Sequence, residues 1–138
     1  MTSPAVWDDA WARASVVAQA LGLPLVDAAA QQTDDQADAW VLMETSAGSS
    51  SRAEMGVKLN EEQGIVWLHV MARSGSGTRP ALVQRKALSE AFRFCDDLPA
   101  GLTYGDQSFD PPNTDDTGNW YRFSLGVDYI YQDIQVTA

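Results

Sequence analysis

Few side chains in this sequence carry the chemistry of nucleophilic, acid–base or metal catalysis, and they lie far apart along the chain. His69 is the only histidine and Cys95 the only cysteine. His69 sits inside the apolar run Gly64–Ala72, where an imidazole serves as a satisfied core or interface group rather than as a base. Cys95 stands in the apolar arc of a helix with no activating partner near it in sequence. Asp96-Asp97 and Asp115-Asp116 are paired carboxylates, but both pairs fall in turn-rich segments without companion residues. Asp34, Asp35 and Asp38 hint at a calcium loop, yet the segment has no Gly at the sharp turn and no closing Glu. The Arg73–Gly77 loop, between a strand and a helix, is the one place for a phosphate cradle. A Walker loop needs Gly-Lys-Ser/Thr at its end, and Gly77 is followed by Thr78-Arg79. Gly75-Ser-Gly77 also lacks the third glycine of the dinucleotide fingerprint. The loop reads as a tight crossover with Thr78 as cap and Pro80 in the first helical turn. The residues thus predict no catalytic, cofactor-binding or metal site, and a protein that is not an enzyme.

The elements that hold these residues are clearer. Gly64–Ala72 is a strand with two apolar faces: Ile65, Trp67 and Met71 with His69 on one, Val66, Leu68, Val70 and Ala72 on the other. Pro80–Cys95 is a helix whose apolar arc holds Ala81, Val83, Ala87, Leu88, Ala91, Phe92, Phe94 and Cys95. Arg85, Lys86, Ser89, Glu90 and Arg93 fill the opposite half, with Leu82 misplaced among them. Upstream, Ser3-Pro4 opens a helix as N-cap and first position, Val6 to Leu21 follow with helical spacing, and Gly22 and Pro24 close it. Trp7 and Trp11, one turn apart, are packing anchors. Asp27–Asp38 is a polar connector.

Ala39–Thr45 is a strand, Ser46–Arg52 a flexible small-residue loop, Ala53–Leu59 a second strand with Met55, Val57 and Leu59 inward, and Asn60–Gly64 a turn. Leu102–Tyr104 is a short edge strand, and Phe109–Gly118 a loop rich in Pro, Asp and Asn. From Tyr121 to Tyr131 aromatic and apolar residues alternate with mostly polar ones, which predicts a long half-buried strand whose aromatic face lies on the helices. The sum is an α+β fold: a mixed, mostly antiparallel sheet of about four or five strands with two helices packed on one face. One domain spans residues 1–138, with an N-terminal helix and acidic linker in 1–38 and the sheet and central helix in 39–132.

Charge sets the outer limits on function. Nine Lys and Arg stand against nineteen Asp and Glu, a net −10. No basic run exists to grip phosphates, and no apolar run approaches the ~20 residues of a membrane span. One cysteine excludes an internal disulfide, and the acidic first helix is not a secretory signal. Synthesis in the cytoplasm fits these features.

The order of elements, together with Gly64-Ile-Val-Trp-Leu-His-Val-Met-Ala72 and its following helix, and Gly118-Asn-Trp-Tyr-Arg-Phe-Ser-Leu-Gly-Val-Asp-Tyr-Ile-Tyr131, resembles the tail terminator proteins of long-tailed phages. The resemblance is strongest to the terminator-like minor tail proteins of siphophages and gene transfer agents, and covers roughly Ala39–Gln132. It implies a virion structural protein of the tail or neck, made in the host cytoplasm. Six copies would form a ring that caps the tail tube, ends its polymerisation and offers a surface to a head-side neck or connector protein. DNA would pass through the ring without specific binding, along a lumen whose acidity repels phosphate. The resemblance also implies that the Ser46–Arg52 loop, with Ser46, Gly48, Ser49, Ser50, Ser51 and Arg52, meets the tail tube or a neighbouring subunit. A loop left long without a function is the competing reading. Trp120 and Arg122 on the last strand, with the exposed strand edges, are candidates for the subunit interface. Two other functions stay open: another head–tail neck or adaptor protein, and a monomeric acidic regulator that binds a basic protein by charge.

Overall fold

The computed structural model describes residues 2–29, 39–54, 58–93, 95–114 and 120–135. Helix α1 runs Pro4–Leu21, strand β1 Leu25–Asp27, β2 Trp40–Glu54, β3 Lys58–Arg73, helix α2 Arg79–Arg93, β4 Leu102–Phe109, β5 Asn113–Thr114 and β6 Trp120–Gln135. The strands form one six-stranded sheet in the order β1-β2-β3-β6-β4, with β5 added to β6. β1 pairs with β2 in parallel, and every other pairing is antiparallel. The α+β class with two helices and a mixed sheet is therefore as expected; β1 and β5 account for the additional strands.

The core lies between the helices and one sheet face. Val41 and Met43 of β2, Val66, Leu68 and Val70 of β3, and Phe123, Leu125 and Val127 of β6 are all buried there. Against them pack Val6, Ala10 and Ala14 of α1 and Ala81, Leu88 and Phe92 of α2. Ala10 and Ala14 in the α1 seam let its backbone approach closely, and Trp7 and Trp11 stack at 5.6 Å beside them as packing anchors. α1 ends at Gly22, whose φ of 72° takes the left-handed cap that glycine adopts without strain. Phe92 meets Tyr104 edge-on at 5.0 Å, tying α2 to β4.

Several local expectations are corrected. Ser46–Arg52 is not a loop. β2 continues through it to Glu54, paired from Ser46↔Ile65 to Glu54↔Leu59, with register shifts between Ala47 and Ser49 and between Arg52 and Glu54. Accordingly, Ala53–Leu59 is not a separate strand and Asn60–Gly64 is not a turn: β2 and β3 make one long hairpin, and the third strand β6 follows it out to Lys58↔Gln135. Small and polar residues satisfied the criteria for a loop, but backbone ladders do not need apolar side chains once two neighbouring strands supply partners. Of the residues expected to point inward from that strand, Met55 and Val57 lie outside the described residues. In α2, Ser89 is buried and Val83 is 47% exposed, the reverse of the helical-wheel reading. Ser89 is tolerated because its hydroxyl and Gln107 Oε1 hydrogen-bond, while Gln107 Nε2 donates to the Ser89 carbonyl at 3.0 Å.

Candidate functional site

The sheet face on which no described helix packs, the open face, carries His69 and its polar partners. β-strand alternation puts Trp40, Leu42 and Glu44 of β2, Ile65, Trp67, His69 and Met71 of β3, and Arg122, Ser124 and Asp128 of β6 on that side. Antiparallel register sets His69 directly opposite Ser124 and Trp67 opposite Gly126. Glu44 is one step along β2, diagonal to His69. The three polar side chains join: His69 Nε2 lies 2.7 Å from Glu44 Oε1, and Nδ1 lies 2.7 Å from Ser124 Oγ. Burial, opposed by the hydrogen bond to Glu44, holds the imidazole below its ordinary pKa. In the neutral ring Nε2–H donates to the carboxylate, and the Ser124 hydroxyl donates to Nδ1.

A Glu–His–Ser chain has the composition of a hydrolytic triad, so its geometry matters. Ser124 is only 5% exposed, in the middle of a strand with partners on both sides. Trp67 stacks beside His69 at 6.0 Å with rings 4° from parallel. The Trp67 ring lies across Gly126, where a Cβ would sit 2.9 Å from it, so only glycine leaves room for the indole. These rings and the polar chain fasten β2, β3 and β6 together on the side that has no helix. Sequence reading placed His69 as a satisfied imidazole but had no means to find Glu44 and Ser124, because only the strand register brings them together.

A second polar centre was also missed. Glu62, assigned to a turn in the sequence, is buried in β3 under the start of α1. It accepts hydrogen bonds from Ser3 N at 3.1 Å, Ser3 Oγ at 2.8 Å and Tyr129 Oη at 2.6 Å. Ser3 is the N-cap residue, yet its hydroxyl points to Glu62 rather than to the helix backbone. The carboxylate takes over the capping role at the positive end of α1. Burial alone would raise the Glu62 pKa; the bonds from Tyr129 and Ser3 outweigh it and lower it. Burial and Glu62 together push the Tyr129 phenol up to about 12.

The proposed contact residues do not converge on one point. Ser46 is exposed on β2, and Gly48, Ser49, Ser50, Ser51 and Arg52 continue the same strand, with Ser49 opposite Gln63 and Arg52 opposite Asn60. Trp120 is half-buried at the far end of β6, edge-on to Trp40 at 6.1 Å and under the Arg73 guanidinium at 5.0 Å. It packs against a small apolar cluster of Val26, Trp40 and Met71. Arg122 is half-buried two positions on, and its charge contributes to lowering the His69 pKa. Between these ends, a groove of about 390 Å³ opens at the base of the hairpin, lined by Ser46, Gln63, Ile65, Asp128 and Ile130 among others. Another, of about 360 Å³, lies beside the Gly75–Thr78 crossover against Tyr121 and Phe123. Neither groove is lined by His69 or Ser124. Among the described residues no group of three or more His, Cys, Asp or Glu could hold a metal ion.

Comparison with known proteins adds a likeness of fold. No family model matches the chain, and no curated protein matches it. A solved chain described by a sequence label alone aligns with 100% of this chain and 99% of its own length, at a TM-score of 0.63 and 18% identity. A chain from the virion of a native gene transfer agent particle aligns over 86% of both chains, at a TM-score of 0.60 and 16% identity. At such identities what is shared is the architecture: this chain has the fold of a protein found in a gene transfer agent virion.

Proposed function

We propose that this chain is a structural virion protein that caps the end of a phage-type tail tube as a ring of six copies. In this role it stops tube polymerisation and presents a surface for head joining. The observation that carries the reading is the shared fold with a gene transfer agent virion chain over 86% of both lengths. Three physical features support it. The chain is −10 overall, which suits a channel that DNA must traverse without binding. The Glu44–His69–Ser124 chain acts as a fastening within the sheet, which suits a structural role. The three-stranded extension of β2, β3 and β6 places Ser46–Arg52 in a paired strand rather than a loop. The tube contact then uses an edge whose backbone is already paired on one side, which lowers the ordering cost of binding. No described strand pairs the outer edge of β2 beyond Met43, so main-chain groups remain for a partner strand.

The test is capping. Tail-tube protein from the same element is polymerised with and without this chain, and tube lengths and ends are imaged by electron microscopy. Arrested growth with six-fold density at one tube end is the expected result. Unchanged growth with no bound density overturns the reading. Density at the connector side alone makes the chain a neck adaptor, and tight binding to a basic protein by a monomer makes it a regulator.

A further inference from the structure

α2 has two faces, and only one is used inside the molecule. Ala81, Leu88, Ser89 and Phe92 point into the core. Arg79, Leu82, Val83, Lys86, Glu90 and Arg93 recur at helical spacing on the other side and are all exposed, Leu82 at 40% and Val83 at 47%. α2 carries four of the nine basic residues and one acid, so it is +3 in a chain that is −10. Of those four, Arg85 is turned inward, donating to the Asp110 carbonyl at 2.9 Å and lying over Phe109. On the exposed stripe Arg93 reaches Ser89 Oγ at 3.4 Å, and Lys86 makes only a long solvent-exposed pair with Glu90 at 3.9 Å. Four of the nine basic residues therefore share one helix, and three of them, Arg79, Lys86 and Arg93, lie on its exposed stripe around two exposed aliphatic side chains.

The opposite side of the molecule offers the complement. The groove at the base of the hairpin has Ile65 and the 42% exposed Ile130 as its apolar part. Asp128 lines it, and Glu44 and Glu61 stand on the same open face of the sheet, Glu44 being 49% exposed. Glu61 is held in place by hydrogen bonds from Gln63 and Gln132. Aliphatic centre and charged rim match in kind and oppose in sign.

We propose that the exposed stripe of α2 docks into the acid-rimmed groove on the open sheet face of a second copy of this chain. Leu82 and Val83 meet Ile65 and Ile130, and Arg79 and Lys86 face Asp128 and Glu44. The two patches lie on opposite sides of the sheet, so the contact is heterologous and propagates from copy to copy until it closes. This deepens the ring reading, and rests on it for closure at six copies.

The test is disulfide trapping in a Cys95→Ser background. Val83→Cys protein is mixed with Ile130→Cys protein and mildly oxidised with copper phenanthroline. A disulfide-linked mixed dimer is expected, at least about fivefold above either protein alone. Adding Lys86→Glu to the first protein should lower the yield several-fold, and Asp128→Lys on the second should restore it. The doubly substituted Val83→Cys, Ile130→Cys chain should give a ladder rather than a dimer. A mixed yield no higher than that of Val16→Cys with Ile130→Cys overturns the proposal, as does equal dimerisation of Val83→Cys alone. Because trapping uses the protein alone, its failure is distinct from failure to cap tubes. Capping without trapping removes this contact and leaves the ring; trapping without capping does the reverse.

Discussion

The two faces of this sheet are each dry at the centre, yet they are kept dry by different means. On the helix side, branched and aromatic side chains of β2, β3 and β6 are sealed by α1 and α2. On the open side no described helix packs, and His69 and Ser124 are each only 5% exposed. There the seal is made within the sheet: Trp67 lies flat over Gly126 and against His69, and Glu44, His69 and Ser124 satisfy one another. A helix-covered face tolerates any well-fitting apolar set, because its free energy comes from area and shape. A face sealed by one ring and a polar chain depends on specific partners, so equal burial conceals unequal tolerance.

The sharpest break in that comparison is expected on the helix side. Phe92→Ala should cost about 3–5 kcal/mol in denaturant unfolding, through lost transfer energy and the cavity left against Tyr104. A loss below about 1 kcal/mol would remove α2 from the core. On the open face, Gly126→Val should cost about 1–3 kcal/mol by overpacking, since its Cβ would press on Trp67 and on Ser108 Oγ at 2.7 Å. Displacement of the indole should also change the tryptophan fluorescence, which an effect confined to the backbone would not do.

His69→Leu is expected to cost about 1–3 kcal/mol by leaving the Ser124 hydroxyl buried without its partner. Its pH dependence sharpens the point. Burial holds the folded His69 pKa below the ordinary value. As pH falls through the ordinary histidine range, the unfolded chain therefore takes the proton first, and wild-type stability is lost relative to the variant. The same logic applies lower on the scale to Glu62. Its folded pKa is lowered, so the wild-type advantage over Glu62→Gln should be present at neutral pH and disappear as pH falls below the usual carboxylate range. Equal pH profiles for wild type and Glu62→Gln would show that the carboxylate does not hold α1. Leu82→Ser should be the mildest, within about 0.5 kcal/mol, because the side chain touches solvent rather than core.

The apolar pattern alone determined the secondary structure where it is strong, either periodic against polar residues or, in the centre of β3, a nearly unbroken apolar run bounded by turn formers. α1, α2, the centre of β3 and the whole aromatic run of β6 fall within a few residues of where spacing places them. The sequence also lacks the letters of the Walker and dinucleotide fingerprints, which can be read without a structure because they require particular residues at particular spacing. What it left open was everything that depends on a neighbour. The Ser46–Arg52 segment has loop composition and strand structure because β3 lies beside it to complete its hydrogen bonds. Glu62 looked like a turn residue and is an anchor because α1, some sixty positions earlier in the chain, starts against it. His69, Glu44 and Ser124 meet through strand register, which no local pattern encodes. The charge on α2 was written in the sequence, but its isolation on one exposed stripe became visible only when the core had claimed Ser89 and the β4–β5 connection had claimed Arg85. Local composition decides what a segment can bury or bend, and tertiary structure decides which of its polar groups remain for a partner.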